Sequence, residues 1–245
     1  MSGWPARVRS EAPWRAARSG TRAFAAALDA AEATLAATAA PAILRADVLP
    51  MVRAAARRGA NPVRVLDISG TTGWWGRAVA TQARVPTWVT VIERDAAVAA
   101  DIRRRTGTAK GITVAAGDAR EVLCAAASAD ACPAPGAAQG QLAVPGPYDV
   151  VVAGDILHTH GEGELADWLG LIDAVARHGW VATDLVRGAV PWVLARLGGP
   201  DERRRRVSAA PSMEEWAEAL ALSGVRGARL RRHGAWRVSL AKAAR

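Results

Sequence analysis

The stretch VRVLDISGTTGWWGRAVA, Val63–Ala80, decides how the rest of the chain is read. An apolar run with β-branched residues ends in the carboxylate of Asp67. A turn of small residues follows, and from Trp74 a helix-like pattern begins. Strand, small-residue turn and helix in that order form a cofactor loop at the first strand of an α/β sheet. Glycine is useful in such a loop because a side chain would block the approach of a ligand to the backbone and would restrict φ. Here Ser69 and Thr71 stand at two places where glycine is usual, with Gly70 between them and Gly73 after them. The turn therefore works if Ser69 and Thr71 keep extended or right-handed dihedrals, and is compromised if either must take a positive φ.

Outward from this stretch the alternation repeats. Short β-rich runs occur at Val63–Ile68, Thr87–Ile92, Ile112–Ala115, Tyr148–Ala153 and Gly179–Asp184. Helical patterns at Trp74–Ala83, Ala96–Thr106, Ala119–Ala127 and Glu162–Arg177 separate them. That order predicts a mainly parallel sheet with helices on both faces. The chain then changes character: a helix over Met213–Ser223 precedes two runs, Val225–Arg232 and Ala235–Leu240, which read as a hairpin through His233–Gly234. The expected architecture is a Rossmann-like, mainly parallel, seven-stranded sheet with an antiparallel C-terminal hairpin.

Upstream, residues 1–20 read as a loose basic arm, and Thr21–Leu49 as Ala-rich helix capped by Thr21 and broken at Pro41. A further helix is expected over Val48–Arg58, ending at Gly59. We divide the chain into an arm and helical lid, 1–60, and a sheet domain, 61–245. Ser128–Pro147 is a Pro/Gly/Ala-rich insertion longer than a compact connection requires.

Composition narrows the function. Half of the 245 residues are apolar, enough for a sizeable core. The formal charge is +9, which by itself suggests an anionic partner. Yet Lys110 and Lys242 are the only lysines among many arginines and alanines. That pattern reflects coding bias before it reflects nucleic-acid binding. Cys124 and Cys132 lack the spacing and partners of a zinc site, so no metal is expected and free thiols are the simpler reading. No apolar run reaches the roughly 18 residues of a membrane span, so a soluble, cytoplasmic chain without a membrane partner is expected.

Four segments together resemble the class I S-adenosylmethionine (SAM)-dependent methyltransferases, over Val63–Leu240, with the helical opening in the place of that family's variable lid. Within the family the likeness is to small-molecule enzymes of the ubiquinone/menaquinone type. VLDISGTTG stands where the family shows a pattern like VLDxGxGxG. The resemblance gives Asp67 a part in holding the methionine amine, with Ser69, Gly70 and Gly73 along the loop. In VTVIERD, Glu93 matches the acid that accepts hydrogen bonds from the ribose hydroxyls; pairing with a nearby arginine is the structural alternative. In VAAGDAR, Asp118 resembles the acid that meets the adenine amine, and Ala119 would offer its N–H to a ring nitrogen. Asp118 also suits a helix N-cap, and both roles can coexist.

The fourth segment, YDVVVAGDILHTHGEGEL, resembles the family's FDVVxxxxxLHH. Ala153 and Gly154 would line the methionine end of the cofactor. His158 matches the first histidine of the pair and His160 lies one position beyond the second; either could take a proton from an acceptor, or cap and pack the loop. TDLVRGAVPWVLARL resembles a DLxR segment of some bacterial members. Asp184 and Arg187 there could pair with each other or meet the acceptor. Of ten tryptophans, Trp74, Trp75 and Trp192 are candidates for pocket walls, and Trp168, Trp180, Trp216 and Trp236 read as core. The run DERRRRV, Asp201–Val207, reads as a solvated loop.

The resemblance implies methyl transfer from SAM to an O, N or C nucleophile of a small molecule, and the Ala/Arg-rich composition suggests bacterial secondary metabolism. A non-methylating member of the same fold is the alternative: a scaffold, a regulatory partner, or an enzyme of other pocket chemistry such as rearrangement or decarboxylation. A nicotinamide oxidoreductase is disfavoured because GxGxxG and a Tyr-xxx-Lys pair are missing. A nucleic-acid adenine methyltransferase is disfavoured because the fourth strand carries no Asn/Asp-Pro-Pro-aromatic segment. A small-molecule acceptor is the expected partner, and a homodimer is left open.

Overall fold

A computed structural model of the chain describes residues 21–69, 72–107, 109–128, 148–187 and 210–244. The arm, the 129–147 insertion, the arginine run, Cys132, Gly70, Thr71 and Trp192 lie outside the described residues.

Seven strands form one sheet: β1 (Val63–Asp67), β2 (Thr87–Glu93), β3 (Ile112–Ala116), β4 (Tyr148–Gly154), β5 (Ala176–Leu185), β6 (Arg229–His233) and β7 (Arg237–Ala243). Their order across the sheet is β3-β2-β1-β4-β5-β7-β6. β1 to β5 are mutually parallel, and β7 runs antiparallel to both β5 and β6. Strand order reverses between β1 and β4, where Val65, Leu66 and Asp67 pair with Val150, Val151 and Val152. In open α/β sheets the crevice at such a reversal, beyond the carboxyl ends, is where ligands settle.

The helices are α1 (Arg22–Ala37), α2 (Ala40–Arg57), α3 (Trp74–Gln82), α4 (Ala96–Thr106), α5 (Ala119–Ser128), α6 (Glu162–Val175) and α7 (Met213–Leu222). Side chains of α1, α2, α3 and α4 share one apolar cluster with Val65, Val91, Val150 and Val152 on one face of the sheet. Those of α5, α6 and α7 pack with Leu66, Ile92, Val151, Ala153 and Trp180 on the other. Alternate residues of β1 and β4 thus enter opposite layers, as the two-residue period of a strand requires. No single helix among the described residues is long and apolar enough to cross a membrane.

Several element boundaries depart from the sequence reading. Thr21 caps α1 as expected, through Phe24 N–H to Oγ1 at 3.2 Å. The break after α1 falls at Thr38–Ala39, and Pro41 begins the next helix, where a missing N–H costs nothing. The helix expected from Val48 is the last part of α2, whose turn Leu44–Val48 is π-helical. That wider turn leads directly into Pro50, which cannot donate to the preceding turn. α6 passes into β5 at Ala176 instead of reaching Arg177. β5 is thereby longer than its apolar run; Gly179 in it has φ +140°, and a Cβ there would lie 2.3 Å from the Lys242 carbonyl oxygen. β6 starts at Arg229, because Gly224 and Gly227 take positive φ ahead of it, and β7 starts at Arg237 after the turn Gly234–Trp236.

Candidate functional site

Asp67 ends β1 fully buried and turns back on its own loop. Its Oδ1 accepts the Ser69 N–H at 2.8 Å, and its Oδ2 accepts the Gly76 N–H at 2.6 Å. Among the described residues no basic side chain pairs with it. Burial pushes its carboxyl up to about 6, against the lowering effect of the Ser69 hydroxyl and the two N–H groups. Asp67 therefore staples the turn that precedes α3.

Gly73 sits at that helix start with φ +63° and ψ 22°, a left-handed conformation that glycine takes without strain. Ser69 needs no such freedom: the described non-glycine residues with positive φ are Arg84 and Asp155. Its hydroxyl accepts the Gly154 N–H at 2.8 Å and bonds to Asp67, so it bridges β1 to the end of β4. A glycine at position 69 would leave that space open. The Trp75 indole closes the crevice from the α3 side. It is buried, its Nε1–H has no partner among the described residues, and a Cβ on Gly154 would fall 2.4 Å from that nitrogen. Trp74, like Trp75 a wall candidate from the sequence, is half-buried and meets Trp75 edge-on at 4.9 Å.

Along the same edge, Glu93 ends β2 nearly buried, with Oε1 accepting the Asp95 N–H at 2.8 Å. Asp118 follows β3, and its Oδ1 takes the N–H groups of Arg120 and Glu121, so it does cap α5. Ala119, between them, begins α5. The carboxyl ends of β1, β2 and β3 thus present Asp67, Glu93 and Asp118 in a row. Ala153 faces the opposite layer, in the cluster with Leu157 and Leu165.

Beyond β4 the chain turns sharply into a short 3₁₀ helix, Leu157–Thr159. The expected Asp184–Arg187 pair does not form. Asp184, fully buried on β5, instead holds this turn: Oδ2 accepts the N–H groups of Leu157 (2.7 Å) and His158 (3.0 Å), while Oδ1 meets His158 Nδ1 at 2.8 Å. Burial pushes the Asp184 carboxyl upward, but His158, the Leu185 N–H and Arg237 outweigh it and hold it below the usual carboxylate range. Arg187 turns away to Glu215 Oε1, at 2.6 Å; Glu215 also closes the capping box of α7 with Ser212. Asp184 thus takes His158 and Arg187 takes Glu215, pairings that only tertiary packing assigns.

His160 does not join His158. It lies over Trp168, with ring centroids 5.3 Å apart, and its Nδ1 meets Glu164 Oε2 at 3.2 Å. Burial lowers its pKa, partly countered by Glu164. Trp180 and Trp216 are fully buried and Trp168 nearly so, but Trp236 is half-buried in the hairpin turn. Sequence reasoning passed over Asp155 and Arg237. Arg237, 3% exposed, donates from one nitrogen to Asp155 Oδ1 and Oδ2 at 2.7 and 2.9 Å. The signal available was the arginine that opens the β run RVSL. A separate cleft of about 470 Å³, lined by Arg45, Leu49, Arg53, Thr81, Gln82 and Arg84, lies by the far end of α3 and contains none of these groups.

No family model and no curated protein matches the sequence. Solved structures do match. PigF, solved with S-adenosylhomocysteine (SAH), is 17% identical at a TM-score of 0.60, covering 94% of this chain and 62% of that one. The mitomycin 7-O-methyltransferase MmcR is 20% identical at 0.52, over 80% of this chain and 54% of that one. A SAM-dependent methyltransferase from Aquifex aeolicus is 15% identical at 0.50, over 82% and 92%. The chain thus spans less than two thirds of the length of PigF and of MmcR. Its fold is the Rossmann-like fold of SAM-dependent methyltransferases.

Proposed function

We propose that the chain transfers a methyl group from SAM to an O, N or C nucleophile of a small molecule. The observation that carries the proposal is the row of carboxylates at the carboxyl ends of β1, β2 and β3. Asp67, buried and without a basic partner among the described residues, is a site short of positive charge. A ligand bearing a sulfonium and an ammonium supplies that charge, whereas an anionic dinucleotide adds to the deficit.

The residues present fit such a ligand. Glu93 and Asp118 would hold its ribose and adenine, and Gly73 gives the loop its left-handed turn. The Nε1–H of Trp75, without a partner among the described residues, is a donor beside the crevice at Gly154. Bound SAM supplies a methyl group already activated on sulfur, so the protein has chiefly to align a nucleophile and manage its proton.

We propose His158 for that proton. An ionised Asp184 can only accept, so Nδ1 is the donor in that contact and Nε2 is the ring nitrogen left outside it. Nε2 would take the acceptor's proton as its nucleophile attacks. Arg187 and Trp192 are proposed on the acceptor side. A bacterial, cytoplasmic enzyme of secondary metabolism is the setting we propose, supported by the composition and by a neighbour that methylates mitomycin.

A second reading, a non-methylating protein of this fold, is favoured by one observation. The Ser69 hydroxyl and the Trp75 indole both stand close against Gly154, leaving no room for even a Cβ there. Titration calorimetry with SAM and SAH decides between the two. Binding at micromolar to sub-millimolar concentration supports methyl transfer, and no heat at millimolar SAM in a folded sample overturns it.

A further inference from the structure

Asp155 is the residue between Gly154, at the crevice, and the turn that carries His158. It has φ +58°, a left-handed conformation that a non-glycine residue keeps only when its surroundings enforce it. Three bonds do so here. Its N–H donates to the Thr183 carbonyl at 3.0 Å, and its two carboxylate oxygens accept from Arg237. Arg237 itself is buried at the start of β7, opposite Leu185. It also donates from a second nitrogen to Thr183 Oγ1 at 3.4 Å, and from Nε to Thr38 Oγ1 at 3.1 Å. Thr38 forms the corner between α1 and α2, where its hydroxyl donates to the Leu35 carbonyl at 2.8 Å.

One guanidinium therefore joins the helical opening of the chain to the strand exit that presents Gly154 and His158. The same cation helps to hold the Asp184 carboxyl low, so the His158–Asp184 pair also senses its position. The planar fork of arginine can face Asp155, Thr183 and Thr38 together; a lysine could not.

We infer that Asp155 and Arg237 are positioning residues that couple the α1–α2 corner to the crevice. Docking of Thr38 on Arg237 and the left-handed turn at Asp155 form one cooperative unit. The segment 21–57 and the catalytic turn consequently order together. The identity of the ligand in this inference rests on the proposed methyl transfer; the coupling itself does not.

The test uses the full chain with Thr38→Val, Thr38→Ser, Asp155→Asn and the Thr38→Val/Asp155→Asn double variant. Three readouts are taken: hydrogen exchange by mass spectrometry, the His158 ring-proton NMR shifts at fixed pH, and SAH calorimetry. The chain has four histidines, so the ring spectrum can be assigned by single substitutions. Thr38→Val, although remote in sequence, should speed exchange at both 35–44 and 153–158 and move the His158 signals. It should weaken SAH about fivefold, within the usual range of coupling between sites. Thr38→Ser keeps the hydroxyl and should match the parent. The double variant should be no weaker than Asp155→Asn alone, because both changes break one network. Unchanged His158 shifts and unchanged exchange at 153–158 in Thr38→Val would overturn the inference. If the parent chain binds no SAH, methyl transfer fails while the exchange and NMR arms still decide the coupling.

Discussion

Gly154→Ala is the sharpest perturbation of the crevice. A Cβ at this position would lie 2.4 Å from Trp75 Nε1, 2.9 Å from its Cδ1 and 3.0 Å from Ser69 Oγ. Ordinary contacts of this kind lie near ~3.5 Å, so the indole must retreat by about 1 Å. Trp75 has no room to do so, being 1% exposed and packed with Val79, Val150 and Val152. Ser69 is held in turn by Asp67 and the Gly154 N–H. Overpacking of this kind costs about 1–3 kcal/mol, and two restrained neighbours place the loss at about 2–3. At about 2–4 °C per kcal/mol for a chain of this size, Tm should fall by about 4–12 °C. Urea denaturation followed by circular dichroism gives the free energy directly. In a Trp75→Phe background, which removes the nearest of the three contacts, the same substitution should cost clearly less than in the parent. A melting temperature within a degree of the parent, or an equal loss in both backgrounds, would refute the reasoning.

Other outcomes follow from the buried carboxylates. The Asp67 carboxyl is raised from its ordinary 3.8 to about 6, so the stability linked to it is fully present below about pH 4 and lost as pH rises through 6. At about 1.4 kcal/mol per pH unit the loss is about 3 kcal/mol. Urea denaturation at pH 4 and pH 7.5 should therefore show Asp67→Asn gaining by about that amount relative to the parent; a pH-independent difference contradicts it. Asp184→Ala strips acceptors from the Leu157, His158 and Leu185 N–H groups and from the imidazole, and should cost about 3–5 kcal/mol by thermal or chemical denaturation. Ser69→Gly removes the bridge to Gly154 and should cost about 1 kcal/mol while strengthening SAM binding in calorimetry. Weaker SAM binding in that variant would show that the hydroxyl helps to hold the ligand.

Alternation along the sequence was enough to read a mainly parallel sheet with a closing antiparallel hairpin and carboxylates at its strand ends. Val63–Asp67 and Thr87–Glu93 each end in a carboxylate, and Asp118 follows the third strand, because alternation of short β runs and helices leaves little choice of topology. Local chemistry was legible too: Thr21 and Asp118 cap their helices, and Gly73 takes the left-handed turn. Boundaries that depend on neighbours were not. β5 begins at Ala176 and β7 at Arg237 because of pairing with each other and with β4 and β6, which no local pattern encodes.

Partner choice was decided only by the tertiary structure. Asp184 and Arg187, three residues apart, part company because β5 carries one inward to His158 while the chain beyond it delivers the other to α7. His158 and His160 separate for the same reason, one into the Asp184 pair and the other onto Trp168. Arg237 reaches Asp155 and Thr38 across 82 and 199 positions. Burial is what makes such assignments: once water is excluded, a charge or N–H left without a partner is costly, so most pair with whatever the fold brings within about 3 Å.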